Sequence, residues 1–137
     1  MKSRLILLVL ITFYFFACDY TSYPQGKALY EGQCSGCHGL EAEGFRQLYP
    51  PLINSKNFLN DPYNTACLIV NGLEGPIEIN GITYDQRMMA IEGLTDVQIT
   101  NILNYVADAF NPKVKTPLNI DLVNKSIEAC KDDDKVF

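Results

Sequence analysis

Histidine is almost absent from this sequence: His38 is the only one among 137 residues. Any metal site in the chain can therefore use a single imidazole, and its other ligands must be of another kind. Close cysteine pairs are equally scarce, because only Cys34 and Cys37 lie near each other. The other three cysteines stand singly, at Cys18, Cys67 and Cys130. A structural zinc site usually needs four nitrogen or sulfur ligands, in two close pairs, so the sequence argues against zinc.

Basic residues are in the minority, with 11 lysines and arginines against 16 aspartates and glutamates. This balance argues against nucleic-acid binding, which needs a basic surface. It suits a protein partner with a basic docking patch, although acidity also serves solubility, as it would in the tail at residues 132–134. Internal repeats and low-complexity linkers are lacking. The chain beyond the first 17 residues is long enough for one domain.

The long apolar run of the chain is at its N-terminus, where two basic residues precede an almost unbroken apolar stretch at residues 5–16. This stretch is shorter than the roughly 20 residues that cross a bilayer, but it suits the core of a signal peptide. Ala17-Cys18 follows and resembles a bacterial lipoprotein signal, which is cleaved before a lipid-bearing cysteine. We expect residues 1–17 to be the signal peptide and residues 18–23 a membrane tether. The protein would then be lipid-anchored in the bacterial cell envelope, facing the periplasm; the alternative is an ordinary secretory signal.

The most specific motif is Cys34-Ser35-Gly36-Cys37-His38, which has the C-x-x-C-H form of a covalent haem attachment site. Each cysteine sulfur would bond to a vinyl group of haem c, and His38 would bind the iron. A thioredoxin-like redox motif would need a βαβ context, whereas this motif follows a helical stretch at residues 24–33. In bacteria such haem is attached outside the cytoplasmic membrane, which agrees with the signal peptide. Two unrelated cysteines beside a histidine are the remaining alternative.

Counting then accounts for the other cysteines. If Cys18 carries lipid and two cysteines carry haem, Cys67 and Cys130 remain, and in an oxidising compartment they could form a disulfide. This bond would tie the C-terminal segment to the body of the domain by closing a loop of about 60 residues. Two buried free thiols are the alternative.

Local signals predict a mostly helical domain with one hairpin. Alternating side chains around Asn80-Gly81 predict a short β-hairpin within residues 76–84, and residues 39–60 are expected to be mostly loop. Helices are predicted at residues 24–33, from Asp61-Pro62 to about 70, at 96–110 after a Thr95/Gln98 capping box, and at 121–130. Such a core is small, so haem would supply the missing apolar bulk, and we expect the haem-free chain to be largely unfolded.

Met88 and Met89 are the candidates for the second axial ligand, because the chain has no second histidine and Met1 would leave with the signal peptide. Thioether sulfur is a recognised haem ligand opposite histidine, although methionine is more often core filler. Both methionines follow the hairpin in an irregular stretch. Met88 lies 50 residues beyond His38, which is far enough for the chain to wrap around a porphyrin.

Taken in order, these features resemble a class I cytochrome c of the small bacterial type. The resemblance covers residues 24–110 and rests on residues 26–30 before the haem motif, Pro50-Pro51-Leu52 after it, Met88-Met89-Ala90, and residues 93–96 before a terminal helix containing Tyr105. It implies an all-α fold, in which a small helical domain at residues 24–111 wraps around one covalent haem c. The hairpin is an insertion in this fold, and residues 112–137 are a C-terminal extension.

The resemblance also implies roles for single residues. Met88 would be the axial ligand, with Met89 as the fallback, the Pro50 carbonyl would accept a hydrogen bond from His38 Nδ1, and Leu52 would lie on the haem face. The first and last helices of the domain would pack together, so that Gly26 and Tyr30 meet Ile102 and Tyr105.

The implied function is one-electron transfer in an extracytoplasmic respiratory chain, with redox protein partners in or near the membrane. The chain would then have no catalytic residues and no small-molecule substrate. One alternative is a five-coordinate haem sensor or peroxidase-like enzyme, with both methionines off the iron. Another is a structural haem subunit of a membrane redox complex.

Overall fold

The computed structural model describes residues 21–131. Its elements are α1 (Pro24–Gln33), α2 (Ser35–His38), α3 (Lys56–Asn60), α4 (Asn64–Asn71), β1 (Ile77–Ile79), β2 (Ile82–Tyr84), α5 (Asp96–Phe110) and α6 (Ile120–Lys131). This order confirms the helical fold with a short hairpin. The predicted signal peptide, the lipid on Cys18 and the acidic tail lie outside the described residues. Between residues 21 and 131, each helix is too short or too polar to cross a bilayer.

The core forms where α1 crosses α5. Helix α5 begins at a capping box, in which Thr95 Oγ1 accepts from the Gln98 N–H at 3.3 Å and Gln98 Oε1 accepts from the Thr95 N–H at 2.8 Å. Such a cap stabilises a helix by about 1 kcal/mol. Gly26 of α1 lies directly on α5, because a Cβ built there would be 2.8 Å from Tyr105 Cβ and closer still to the Asn101 carbonyl. The predicted close approach of the two helices at this glycine is confirmed.

Three aromatic rings fill the space between α1 and α5. The Tyr30 ring centroid lies 5.5 Å from that of Tyr105 and 5.4 Å from that of Phe110. Tilted ring pairs of this kind contribute about 0.5–1.5 kcal/mol beyond their buried area. Tyr30 is fully buried, and its hydroxyl donates to the Gly39 carbonyl at 2.7 Å. The side chain therefore links the α1–α5 core to the end of the Cys-x-x-Cys-His motif.

Residues 39–60 are more regular than predicted, because α3 occupies the last five of them. Ser55 caps α3 by accepting from the Phe58 N–H at 3.5 Å, and Phe58 is buried. Helix α4 begins later than predicted. Asp61 Oδ1 accepts from the N–H groups of Tyr63 and Asn64, both at 3.1 Å, so the residues after Asp61 form a turn that precedes the helix.

The hairpin forms as predicted around Asn80-Gly81. Its register pairs Ile77 with Tyr84 and Ile79 with Ile82. Asn80 and Gly81 have φ angles of 54° and 84°. A two-residue hairpin turn of type I′ needs positive φ at both central positions, which asparagine and glycine adopt most readily.

The C-terminal extension packs against both α4 and α5. The Leu118 N–H donates to the buried Asn104 Oδ1 at 2.6 Å, and α6 follows with an inner face that includes Val123 and Ile127. A disulfide joins Cys67 of α4 to Cys130 of α6. This is the pairing that the cysteine count left available.

Candidate functional site

An apolar cavity of about 620 Å³ is enclosed by α1, α4, α5, the hairpin and the segment after it. A volume of this size accommodates a cofactor. The apolar side chains that line it come from six different parts of the chain: Leu52, Phe58, Leu68, Ile69, Leu73, Ile77, Ile79, Tyr84, Ile91, Ile102 and Val106. The cavity is thus an apolar space inside the core, to which a small number of polar groups are presented.

The Cys-x-x-Cys-His motif forms one wall of this cavity because the helical backbone continues through it. The Cys34 N–H donates to the Tyr30 carbonyl at 2.8 Å, and the His38 N–H donates to the Cys34 carbonyl at 3.0 Å. Residues three and four apart share a helix face, so Cys34, Cys37 and His38 point the same way. All three line the cavity, and both cysteines are free thiols.

The His38 ring is oriented by the backbone of the following loop. Its Nδ1 lies 2.9 Å from the Pro50 carbonyl oxygen, which can only accept, so Nδ1 carries the proton and donates. Burial lowers the pKa of His38, and the hydrogen bond to Pro50 opposes this only in part. The imidazole is therefore neutral, with its Nε2 lone pair available to a metal. A hydrogen bond of this kind fixes both the tautomer and the orientation of a metal-binding histidine.

The two thiols do not have the properties of a redox pair or of a zinc site. Burial, followed by the neighbouring Cys37, raises the pKa of the Cys34 thiol to about 11. Reactive Cys-x-x-Cys thiols have a lowered pKa instead. Within residues 21–131, no cluster of three or more His, Cys, Asp or Glu side chains could hold a metal ion. Both observations argue against the thioredoxin-like and zinc alternatives.

The loop that carries Pro50 is held to the rest of the fold by its backbone. The Leu52 N–H donates to the Ala42 carbonyl at 2.8 Å, and the Leu52 carbonyl accepts from Asn111 Nδ2 at 2.9 Å. Asn111 is fully buried just beyond the end of α5. The Pro50 carbonyl is therefore anchored at a residue two positions away, while the Leu52 side chain lines the cavity.

Both methionines lie on the cavity, but their surroundings differ. The Met88 backbone is paired with Leu73, with N–H to carbonyl distances of 2.9 Å in both directions. Met88 is half-buried, whereas Met89 is 65% exposed. Gly72, at φ 72°, lies against this segment, since a Cβ there would be 2.8 Å from the Ala90 N. The fold thus holds the backbone of Met88 firmly and leaves most of Met89 in solvent.

Two parts of the cavity wall were not identified from the sequence. The hairpin was predicted as an addition to the fold, yet its Ile77, Ile79 and Tyr84 side chains line the cavity. Helix α3 contributes Phe58 from a region predicted to be loop. For α3 a local signal existed, namely a serine that caps an apolar residue three positions later. For the hairpin, only the long-range packing shows which side faces inward.

Comparisons with known proteins agree with this geometry. A model of the cytochrome c family matches residues 24–109. Cytochrome c-552 of Thermus thermophilus is 32% identical over 94 residues, which cover 66% of this chain and 71% of that protein. A second cytochrome c-552, from a particular strain of the same species, is also 32% identical over 94 residues, and there the match covers 63% of the relative, somewhat less than two thirds of its length.

The residues of the cavity also fit the cofactor of this family. Covalent haem needs two free thiols three positions apart, an imidazole nitrogen with an unshared pair, and apolar walls around a flat macrocycle. Cys34 and Cys37, the Nε2 of His38 and the apolar lining meet these needs within one cavity. The chain therefore belongs to the cytochrome c family, as a class I member that binds haem c covalently.

Proposed function

We propose that this cytochrome carries single electrons in an extracytoplasmic respiratory chain, with His38 and Met88 as the two axial ligands of its haem iron. The haem supplies one-electron redox chemistry when it is bound. The chain's own residues bind it through Cys34 and Cys37, orient the imidazole through Pro50, and exclude water with the apolar wall. Two protein ligands that stay in place would leave no position for a substrate, which favours an electron carrier over an enzyme.

One observation carries the proposal: His38 and Met88 line the same apolar cavity, and each is held through a backbone hydrogen bond. Carriers need little rearrangement between oxidation states, and pre-oriented ligands provide this. A histidine–methionine pair raises the reduction potential relative to two histidines. Apolar surroundings also affect the potential, because they disfavour the more highly charged state of the iron.

The test compares Met88→Ala with Met89→Ala in the haem-loaded protein. Met88→Ala should abolish the far-red absorption band that marks iron–thioether ligation in ferric haem, and should lower the midpoint potential. Met89→Ala should keep both properties, because this side chain is mostly exposed. Loss of the band in Met89→Ala alone would reverse the assignment. A wild-type protein without the band, which binds carbon monoxide or peroxide readily, would instead be a five-coordinate sensor or peroxidase-like enzyme.

The proposal includes a place in the cell. Residues 1–17 would direct export, and acyl chains on Cys18 would anchor the domain close to a membrane, since multiple chains hold where one does not. The acidic charge balance supports partners with basic docking patches. Cys18→Ser should move the haem protein from the membrane fraction to the soluble periplasmic fraction with an unchanged spectrum. A Cys18→Ser protein that stayed with the membranes would contradict lipid anchoring and point to a permanent membrane complex.

A further inference from the structure

Helix α4 has two faces with different partners. Tyr63, Cys67 and Asn71 are four residues apart in sequence and therefore share one face, which is turned toward α6. Leu68 and Ile69 line the cavity on another face. The helix is thus placed between the C-terminal extension and the haem-binding cavity.

The contacts between α4 and α6 run along the whole of the first face. The Ser126 hydroxyl donates to the Tyr63 carbonyl at 3.1 Å, the disulfide joins Cys67 to Cys130, and Asn71 Nδ2 donates to the Cys130 carbonyl at 3.0 Å. We call these five residues the α6 latch. Its bonds are one covalent link flanked by a hydrogen bond on either side, so they fix both the position and the axial register of α4.

The opposite end of the same connection is the backbone of the methionine segment. Leu73, which follows α4, exchanges two backbone hydrogen bonds with Met88. The Ile69 carbonyl accepts from the Ile91 N–H at 2.9 Å. Any shift of α4 therefore moves the backbone on both sides of the Met88 side chain.

Helix α4 is too short to hold this position by itself. It has eight residues, and isolated helices shorter than about 12–15 residues are marginal in water. Its position must come from tertiary contacts, and the latch provides a covalent one. A methionine ligand, in turn, stays on a metal only while its backbone is kept within reach.

We propose that the α6 latch, with the Cys67–Cys130 disulfide at its centre, is a positioning device for the Met88 thioether. The C-terminal extension would then act on the haem iron without touching it, through α4 and the Leu73–Met88 pair. This inference rests on the proposed ligation by Met88. Neither Cys67 nor Cys130 is assigned any contact with the haem.

The test measures how readily an added ligand displaces the thioether. The protein is the ferric, haem-loaded chain, the variant is Cys67→Ala/Cys130→Ala, and the probe is imidazole. Imidazole binds only when Met88 has left, so its apparent affinity rises in proportion to the fraction of open molecules. We expect the double variant to bind imidazole at least about tenfold more tightly than wild type. Its far-red band should be weaker and its midpoint potential lower, because thioether ligation raises the potential.

Two further variants separate positioning from general stability. Ile99→Ala removes a buried side chain of α5 outside the latch and should lower the free energy of unfolding by about 2–5 kcal/mol. It should nevertheless leave the imidazole affinity unchanged. Asn71→Ala removes only the hydrogen bond to Cys130 and keeps the disulfide, so it should raise the imidazole affinity by a smaller factor. If the double variant fails to accumulate as a haem protein, Asn71→Ala decides the question.

The outcomes distinguish this inference from the proposed ligation. Wild-type imidazole affinity in both latch variants, while Met88→Ala loses the far-red band, would overturn the latch and leave the ligation standing. An increase in Ile99→Ala equal to that in the latch variants would also overturn it, because the effect would then follow stability alone. A wild-type band that survives in Met88→Ala would overturn the ligation itself.

Discussion

The crossing of α1 and α5 gives a sharp prediction, because two glycines in the same helix have opposite surroundings. Gly26→Ala places a Cβ 2.8 Å from Tyr105 Cβ and nearer still to the Asn101 carbonyl, and neither group is the end of a flexible side chain. Gly32→Ala meets nothing within 4 Å. Both substitutions gain helix propensity, worth up to about 1 kcal/mol. Only Gly26→Ala forces the two helices apart.

The expected magnitudes follow from these contacts. Overpacking of a tight core costs about 1–3 kcal/mol and occasionally more, and the upper end applies at Gly26 because backbone atoms must shift. After the gain in propensity, Gly26→Ala should lower the free energy of unfolding by about 2 kcal/mol. Gly32→Ala should leave it unchanged or raise it by up to about 1 kcal/mol. Urea unfolding of the haem-loaded proteins, followed by far-ultraviolet circular dichroism, measures both. Equal stability of the two variants would refute the close-approach argument.

Three further predictions concern the hydrogen bonds of the core and the cofactor. Tyr30→Phe leaves the Gly39 carbonyl without its donor and should cost about 1–3 kcal/mol in urea unfolding; an unchanged midpoint would contradict this. Asn104→Ala leaves the buried Leu118 N–H unpaired and should cost a similar amount, whereas Asn101→Ala, which loses a surface bond, should cost less than about 0.5 kcal/mol. The chain made without haem should be largely unfolded by circular dichroism, because the apolar cavity of about 620 Å³ would otherwise face water. A native-like spectrum of the haem-free chain would refute that expectation.

The elements that the sequence predicted well are those whose ends carry their own signals. Helix α1 begins at Pro24 and α5 at the Thr95 cap, and both bounds agree with the prediction. The hairpin turn at Asn80-Gly81 needs backbone angles that these residues adopt readily. These signals act within three or four residues, so one sequence is enough to find them.

The errors occur where a helix is short or where its first turn has an alternative. Helix α3 has five residues, fewer than periodicity can reveal. At the start of α4, the Asp61 side chain accepts from two successive N–H groups and stabilises a turn before the helix. Both differences concern a competition between local hydrogen bonds, which pattern alone does not decide.

The parts of the site that depend on distant contacts could be predicted only in part. Counting cysteines left Cys67 and Cys130 as a pair, but the count says nothing about the helix face that Cys67 occupies. The resemblance implied the Pro50 bond to His38, and the structure contains it at 2.9 Å. The pairing of Leu73 with Met88 had no signal in the sequence, since it joins two irregular segments through their backbones alone.

The C-terminal extension changes meaning once these contacts are considered together. As sequence, residues 112–137 looked like an addition to a complete domain. In the structure, Asn104 of α5 receives the start of the extension, and α6 covers the outer face of α4. Because α4 also forms the cavity wall and pairs with the methionine segment, the extension closes a continuous path from the core to the candidate ligand. A domain with short helices can thus gain rigidity at its metal centre from a segment that does not touch the cofactor.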